Sequence, residues 1–309
     1  MTKTLDSSPS ILPLYARAAL PMIPGASHLP FVPGGGGEIP DGLDLELTGV
    51  TAQPEDVAAY AKVCGFALRD TLPPTYPHML AFPLHMAVMS DGRFPFGAVG
   101  LVHVSNSITQ KRPIGIDEEM TIRVRPTKLQ PHPKGKTFSL ETEVLVDGEV
   151  VWESLSTMLR RGKGDKDAQQ QKGFGSLPED APASAEWKLD GGLGRRYGGV
   201  SGDRNPIHMH SLTAKPLGFP SAIAHGMWTK ARALAQLESR LPDSFEVEVR
   251  FRKPVLLPAR VEFASAEEGE EILFAVRDAK KGTPHLDGHV KPLKAGSKSK
   301  TAKTGRKTK

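Results

Sequence analysis

Hydrophobic and polar positions along this chain fall into two series that share the same order of predicted elements. In the first series, apolar residues recur at helical spacing between Thr51, a candidate N-cap, and Gly65. An apolar stretch at 80–88, interrupted by Pro83, predicts the start of a second and buried helix. Strands are predicted after it at 99–107, 120–125, 137–146 and 150–159, with a type I′ hairpin turn at Asp147-Gly148.

The second series begins with a weaker helix pattern at 190–202, in which each of three glycines costs about 1 kcal/mol relative to alanine. A long helix pattern follows at 221–241. Strands are then predicted at 246–252, 260–264, 271–277 and 285–290. A polar stretch of low complexity at 162–173 separates the two series and predicts a linker.

Short matches between the two series indicate an internal duplication. Y-A-K-V-C-G at 60–65 matches Y-G-G-V-S-G at 197–202, an offset of 137, and K-R-P-I at 111–114 matches R-K-P-V at 252–255, an offset of 141. Two matches in the same order at nearly the same offset are hard to obtain by chance. Each copy places a long apolar helix before a meander of strands, and such a sheet buries the helix by wrapping around it. The predicted fold class is α+β, a double hot-dog of two tandem repeats.

The patterns divide the chain into an N-terminal arm at 1–44, a first repeat at 45–161, a linker at 162–184, a second repeat at 185–290 and a basic tail at 291–309. The arm is rich in proline and glycine and is expected to be a flexible link. The tail holds eight Lys or Arg and no acid, so the net charge of +5 becomes about −3 without it. A tail of this composition buries too little apolar surface to fold.

Composition argues against a membrane-spanning, a secreted and a nucleic-acid-binding protein. No run of eighteen apolar residues predicts a membrane-spanning helix, and Pro13, Arg17 and Pro21 interrupt the apolar stretch at 11–23, which fits a secretory signal poorly. We therefore expect a cytoplasmic protein without a membrane partner. The single cysteine, Cys64, rules out an internal disulfide and is expected to be a small buried hydrophobe. No nucleic-acid partner is expected, because the chain before the tail lacks a basic stripe with interleaved aromatics.

Candidate chemistry concentrates between 203 and 226. Asp203 and His208, five residues apart and separated by a proline turn, can converge on one water molecule and move protons in both directions. Asn205 can orient either partner but does not titrate. Gly226 lies near the start of the long helix pattern, where an unpaired backbone N–H can hold a developing oxyanion. These groups suit the addition or removal of water beside a thioester carbonyl.

Other interpretations of the same residues stay open. G-D-x-N-P is also ordinary turn chemistry, and His225 could be a core histidine hydrogen-bonded to the backbone. A metal site built from Asp203, His208 and His210 would lack a further ligand cluster to complete it, and His210 is expected to face solvent.

The first copy serves as an internal control for the second. At the positions aligned with Asp203 and His208, the first copy has Phe66 and Thr71. Any chemistry therefore belongs to the second copy, which leaves the first copy free to shape a pocket.

Three segments of the second copy carry a resemblance to a known family. The stretch 197–214, Y-G-G-V-S-G-D-R-N-P-I-H followed five residues later by Ala214, resembles the hydratase 2 motif of the MaoC-like (R)-specific enoyl-CoA hydratases. G-F-P-S-A-I-A-H-G-M at 218–227 and F-R-K-P-V-L-L-P at 251–258 resemble further segments of that family, in the expected order. With a degenerate first half that includes T-Y-P-H-M-L-A-F-P-L-H-M at 75–86, the layout is similar to the double hot-dog 3-hydroxyacyl-thioester dehydratases of bacterial fatty acid metabolism.

The resemblance implies reversible hydration of a trans-2-enoyl thioester, carried on coenzyme A or an acyl-carrier protein, to the (R)-3-hydroxyacyl thioester. It implies that Asp203 and His208 form the catalytic dyad, that Asn205 supports it and that the Gly226 N–H is the oxyanion donor. The first copy would make room for the acyl chain. No metal or redox cofactor is expected, and pairing of two chains as a homodimer is consistent with the fold.

Two other functions remain as alternatives. A hot-dog acyl-CoA thioesterase would have the same fold, so the fold alone does not exclude it, although the D-x-N-P-x-H motif argues against it. A non-catalytic acyl-thioester-binding subunit that activates a partner is the second alternative. An intact dyad would be unusual in such a subunit.

Overall fold

The computed structural model describes residues 2–20, 25, 32–168, 174–178 and 180–293. Its helices are α1 Ile11–Ala19, α2 Pro54–Cys64, α3 Tyr76–Met89, α4 Leu193–Ser201, α5 Pro206–Met209, α6 Ser211–Ala214 and α7 Gly226–Leu237. Its strands are β1 Lys3–Leu5, β2 Leu45–Val50, β3 Leu101–Gln110, β4 Met120–Pro126, β5 Gln130–His132, β6 Gly135–Val146, β7 Glu149–Arg161, β8 Ala185–Leu189, β9 Phe245–Phe251, β10 Ala259–Glu268, β11 Glu271–Asp278 and β12 Pro284–Pro292. The predicted basic tail lies outside the described residues from 294 onward.

One sheet connects both copies. Its strands follow the order β1-β2-β4-β6-β7-β3-β9-β12-β11-β10-β8, with β5 paired to β6 off this path. The two copies join where β3 runs antiparallel to β9, from Ser105 opposite Arg250 to Gln110 opposite Phe245. Outward from this join, the strands of the two halves follow the same relative order, which is β3-β7-β6-β4-β2 in the first copy and β9-β12-β11-β10-β8 in the second. This order confirms the predicted α+β double hot-dog and supports the duplication.

The short helices of the two copies end in the same way. Gly65 after α2 has φ 87° and Gly202 after α4 has φ 75°, a left-handed conformation that glycine adopts without strain. The matched hexapeptides therefore occupy equivalent turns. The predicted N-cap of α2 was wrong, because the cap is Gln53 rather than Thr51. Pro54 at the first helical position fixes the start of α2 two residues later than Thr51 would place it.

The long helices lie at the centre of the two copies. Helix α3 is buried along most of its length and continues through Pro83. Helix α7 begins at Gly226, five residues after the predicted start of its helix pattern, because the preceding segment pairs with an extended segment instead. There, Leu257 N–H donates to the Ala222 carbonyl and Ala224 N–H donates to the Val255 carbonyl. This pairing leaves Gly226 as the first residue of the helix.

A buried lysine on α7 lies at the join between the copies. The Lys230 side chain is fully buried, and burial lowers the pKa of its ammonium group. Its Nζ lies 2.5 Å from Asn106 Oδ1 and 3.2 Å from the Asn106 carbonyl on β3, and 3.3 Å from the Val247 carbonyl on β9. Three acceptors match the three donors of an ammonium group, so one side chain connects strands from both copies.

The eight predicted strands are confirmed with small shifts at their ends. Asp147 with φ 50° and Gly148 with φ 81° form the hairpin turn between β6 and β7, as the D-G pair predicts. Strands β1, β2, β5 and β8 were not predicted. Cys64 is buried and unpaired, and burial raises its pKa to about 12.

The described part of the N-terminal arm is folded, so its interpretation as a flexible link was wrong for these residues. Strand β1 pairs in parallel with β2, and α1 packs against α3. Ala18 on α1 is almost completely buried, and Leu14 accepts a hydrogen bond from Ser90 at 3.4 Å. The apolar residues of 11–20 find a partner surface that the local sequence does not reveal. The limits of the five predicted parts of the chain stay predictions.

Among the described residues, no helix combines the length and the hydropathy that a membrane span requires.

Candidate active site

Asp203 lies in the loop between α4 and α5 and His208 lies on α5, and two glycines of α4 let this segment approach closely. A Cβ added to Gly194 would lie 1.9 Å from the His208 carbonyl oxygen, and one added to Gly198 would lie 2.7 Å from the Asp203 carbonyl oxygen. Both contacts are too short for any other residue type. The glycines that weaken the α4 helix pattern therefore make room for the loop.

Asn205 sets the direction of the chain between the two dyad residues. It is the N-cap of α5, and its side chain accepts the Ile207 N–H at 3.3 Å. Pro206 occupies the first helical position, and His208 N–H bonds back to the Asn205 carbonyl at 2.9 Å. This single turn carries His208 back toward Asp203. Asn205 thus fixes the turn between Asp203 and His208, and its support of a catalytic dyad stays a prediction.

The Asp203 carboxylate lies in a half-buried position, with 28% of its side chain exposed. Its Oδ1 accepts the Asn205 N–H at 3.1 Å and the Tyr15 hydroxyl at 3.0 Å. Burial raises the pKa of Asp203, but the two nearby histidines and these two hydrogen bonds outweigh it and hold the pKa below its usual value. At neutral pH, Asp203 is therefore a carboxylate.

His208 is buried and neutral. Its Nδ1 lies 2.8 Å from the Ile223 carbonyl, which only accepts, so Nδ1 carries the proton and Nε2 keeps its lone pair. Burial lowers the pKa of His208, against the opposing effects of the Asp203 carboxylate and the bond to Ile223. At neutral pH the pair therefore consists of one carboxylate and one neutral imidazole, and both can accept a proton.

His225 packs directly on the dyad. Its ring stacks on His208 with centroids 3.7 Å apart, and its Nε2–H donates to the Asp203 carbonyl at 2.9 Å. Burial lowers the pKa of His225 to about 3, so it stays neutral. His225 is thus a buried histidine that is hydrogen-bonded to the backbone, as one interpretation of the sequence had it. Its backbone partner is the carbonyl of Asp203 itself.

Within the described part of the chain, Asp203, His208 and His225 form a group of possible metal ligands, with one oxygen or ring nitrogen of each within 4.8 Å of the others. His210, the third metal ligand considered from the sequence, is exposed, and its Nδ1 accepts the Leu212 N–H at 3.2 Å. The set Asp203, His208 and His210 is therefore not assembled.

Gly226 presents its N–H at the first position of α7, where a helix offers no internal acceptor. The positive end of the helix dipole adds to the donor strength of this group. The Phe251 ring borders the glycine closely, because a Cβ added to Gly226 would lie 3.0–3.2 Å from three ring carbons. Gly226 therefore leaves no side chain beside the N–H that a planar thioester carbonyl would approach.

We expect Gly226→Ala to lower kcat about tenfold or more, because the added methyl group contacts the Phe251 ring and displaces the proposed oxyanion donor. Gly199→Ala is the matched control: a Cβ there meets nothing within 4 Å, and alanine strengthens the helix. Steady-state rates and thermal unfolding of both variants check the prediction. Equal rates for the two variants would contradict it.

Tyr15 is the site residue that the sequence did not predict. It lies on α1, 188 positions before Asp203, and its hydroxyl contacts the Asp203 carboxylate and the Arg204 N–H. No motif or spacing connects the two parts of the chain. The one local signal is a tyrosine within a short apolar helix, because the hydroxyl of a buried tyrosine usually finds a hydrogen-bond partner.

At the corresponding turn of the first copy, Phe66 is buried in the core and Thr71 forms a β-bridge with Gly115. This turn packs as ordinary structure, in agreement with the comparison of the two copies by sequence.

The fold and the site together define a class: two hot-dog repeats in one chain, with an Asp–His pair beside the first turn of the second long helix. The family model described as MaoC like domain matches residues 178–288. The 3-hydroxyacyl-thioester dehydratase X of Mycobacterium tuberculosis is 37% identical over 278 residues, which cover 90% of this chain and 95% of that protein. This chain belongs to the MaoC-like dehydratase family.

Solved structures agree with this assignment. A crystal structure of HtdX of Mycobacterium tuberculosis is similar with a TM-score of 0.72 and 37% identity, covering 81% of this chain and all of that chain. A MaoC-like dehydratase from Phytophthora capsici has a TM-score of 0.68 at 20% identity, covering 81% of this chain and 95% of that chain, and shows the shared fold. The family resemblance predicted from the D-x-N-P-x-H segment is confirmed.

Proposed function

We propose that the protein is a hydro-lyase that adds water to trans-2-enoyl thioesters and removes it from the (R)-3-hydroxyacyl products. The observation that carries this proposal is the cluster of an ionised Asp203 and a neutral His208, which lies against the start of α7, where the Gly226 N–H is unpaired within the helix. The name of the mycobacterial relative, a 3-hydroxyacyl-thioester dehydratase, supports the reaction class. A role in fatty acid metabolism, with the acyl group on coenzyme A or an acyl-carrier protein, follows from this reaction.

The two proton transfers can be shared by the dyad. In hydration, the water oxygen bonds to the β-carbon while one proton leaves the water and one reaches the α-carbon. Asp203 and His208 each have a free lone pair at neutral pH, so the dyad accepts the water proton. The acid formed in this way delivers a proton to the α-carbon, and the dyad returns to its starting state without taking a proton from solvent.

As water attacks the β-carbon, the electron pair of the double bond shifts to form the bond between the α-carbon and the carbonyl carbon of an enolate, and the carbonyl electron pair moves onto the thioester oxygen. The Gly226 N–H, at the positive end of α7, stabilises the enolate oxygen more strongly than the neutral carbonyl of the substrate. As the α-carbon is protonated, this charge returns to the carbonyl. The mechanism uses side chains and one backbone N–H, with no metal or redox cofactor.

The assay is direct. The purified protein should remove the enoyl absorbance of crotonyl-CoA and longer enoyl-CoA substrates. In the reverse direction, (R)-3-hydroxybutyryl-CoA should regenerate this absorbance and the (S) isomer should not. Absence of activity on enoyl thioesters of every chain length would refute the proposal. Release of free thiol from a saturated acyl-CoA would favour the thioesterase, and activity that required an added partner would favour the binding subunit.

The pH dependence should follow from the protonation states of the dyad. We expect kcat/KM to fall on acidification below pH 6.5, because His208 loses its lone pair as the pH passes through a pKa that lies below the ordinary 6.5. Asp203 follows at still lower pH, below its ordinary 3.8. A rate profile between pH 4 and pH 8 measures this, and an acidic limb centred above 6.5 would contradict it.

A cytoplasmic location and the pairing of two chains as a homodimer complete the proposal. Both remain predictions, which fractionation of cells and light scattering would check.

A further inference from the structure

Helix α1 lies against the catalytic loop and contacts it at two adjacent points. Ile11 packs against Gly202, where an added Cβ would lie 2.6 Å from the Ile11 methyl carbon. One turn further on, the Tyr15 hydroxyl reaches the loop between Gly202 and Arg204. Both contacts therefore involve the residues directly before and after Asp203. Helix α1 precedes the residues that the family model matches, 178–288.

The Tyr15 hydroxyl has both of its hydrogen-bonding roles defined. It accepts the Arg204 N–H at 2.7 Å, and its own proton has two acceptors in range, Asp203 Oδ1 at 3.0 Å and the Gly202 carbonyl at 3.5 Å. The carboxylate oxygen is both closer and charged, so it takes the proton. Burial and the nearby Asp203 charge raise the pKa of Tyr15, and the hydroxyl therefore stays a donor at every working pH.

The hydrogen bond from Tyr15 gives the two oxygens of the Asp203 carboxylate different surroundings. Oδ1 receives the Tyr15 hydroxyl and the Asn205 N–H, so its position is fixed from two directions. Oδ2 lies on the side of the histidines, 3.8 Å from His225 Nε2. With Oδ1 held, the carboxylate cannot rotate freely, and Oδ2 stays on the side of the histidines.

We infer that Tyr15 is a positioning residue, which holds the Asp203 carboxylate in its reactive orientation from outside the catalytic repeat. The expected effect of Tyr15 on the reaction rate rests on the proposed function. Its expected effect on the Asp203 carboxylate rests on the contacts between the described residues. This positioning role assigns to the N-terminal segment a part in the active site of the second copy.

Tyr15→Phe tests the inference because it removes the hydroxyl and keeps the packed ring. We expect kcat for enoyl-CoA hydration to fall about 10- to 100-fold with a smaller change in KM, since the misplaced group is a reacting one. The bond to Tyr15 lowers the pKa of Asp203, so its loss should raise that pKa. Titration of carbon-13-labelled aspartate, with Asp203→Asn identifying the signal, measures the change without any substrate.

Ile11→Ala is the matched control, because it weakens the docking of α1 on the same loop and leaves the hydroxyl in place. This variant should keep nearly the wild-type kcat and the wild-type titration of Asp203. An unchanged kcat and titration in Tyr15→Phe would overturn the inference, as would equal effects of the two variants. If the wild type has no hydratase activity but Tyr15→Phe still shifts the Asp203 titration, the proposed function fails and the coupling between the two residues stands.

Discussion

Asp203→Asn is expected to lower kcat/KM for enoyl-thioester hydration by about 10²- to 10⁴-fold, the usual contribution of a general acid–base group. The amide oxygen can still accept the Tyr15 hydroxyl and the Asn205 N–H, so the loop should keep its shape. The amide cannot accept a proton near neutral pH, so the dyad loses one of its two bases. Loss of enoyl absorbance gives the rate, and circular dichroism with thermal unfolding gives the fold.

His208→Ala should reduce the rate to a similar extent, and His210→Ala serves as its control. His210 is two residues away, exposed and outside the group that surrounds Asp203. A histidine-to-alanine change there removes the N-cap of α6 but should leave the rate within about twofold of the wild type, because the His210 side chain lies outside the Asp203 cluster. Near-normal rates in both Asp203→Asn and His208→Ala would remove the dyad from the mechanism.

Lys230→Ala is expected to lower the free energy of unfolding by about 3–5 kcal/mol. The change leaves an empty space in the core and three oxygens without their donor: Asn106 Oδ1 and the carbonyls of Asn106 and Val247. Lys230→Met should lose less, because the thioether chain fills the space although it donates no hydrogen bond. Urea unfolding monitored by tryptophan fluorescence measures both variants.

Lys62→Ala is the control for this prediction. Lys62 lies on α2 with its side chain exposed, and its replacement should change the free energy of unfolding by no more than about 0.5 kcal/mol. If Lys230→Ala were as stable as Lys62→Ala, the ammonium group would have no part in joining the two copies.

The elements that the sequence predicted are those in which local pattern and tertiary environment agree. The D-G turn and the strands on either side of it follow from alternation and from the left-handed conformation that glycine accepts. Strands β2 and β8 were missed although L-E-L-T-G-V and A-E-W-K-L both alternate, because each is short and stands before a stronger helix signal. Alternation of apolar and polar residues over five or six positions does not by itself predict a strand, because the partner strand that it pairs with is distant in sequence.

The start of α7 shows where periodicity fails. Ser221 and Ile223 continue the helical spacing of apolar and small residues, yet Ile223 forms a β-bridge with Leu256. Hydrogen bonds to the extended segment at 255–257 outweigh the helix propensity of a few residues. As a result, the first residue of the helix, whose N–H has no acceptor within it, is Gly226.

The candidate site was predictable to the extent that it is local. Asp203, Asn205 and His208 lie within one turn, and their residue types limit the chemistry. Tyr15 and the stacking of His225 on His208 depend on how distant segments fold together, and no spacing in the sequence encodes these contacts.

The join between β3 and β9 means that the two copies cannot be separated as independent modules. A fragment with only the second copy would expose the unpaired edge of β9, where Val247 and Val249 are now fully buried. The same cut would remove two of the three acceptors around Lys230 and all of α1 with Tyr15. The copy without the dyad is thus a permanently attached partner of the second copy: it pairs with the edge of β9 and supplies two of the three acceptors around Lys230.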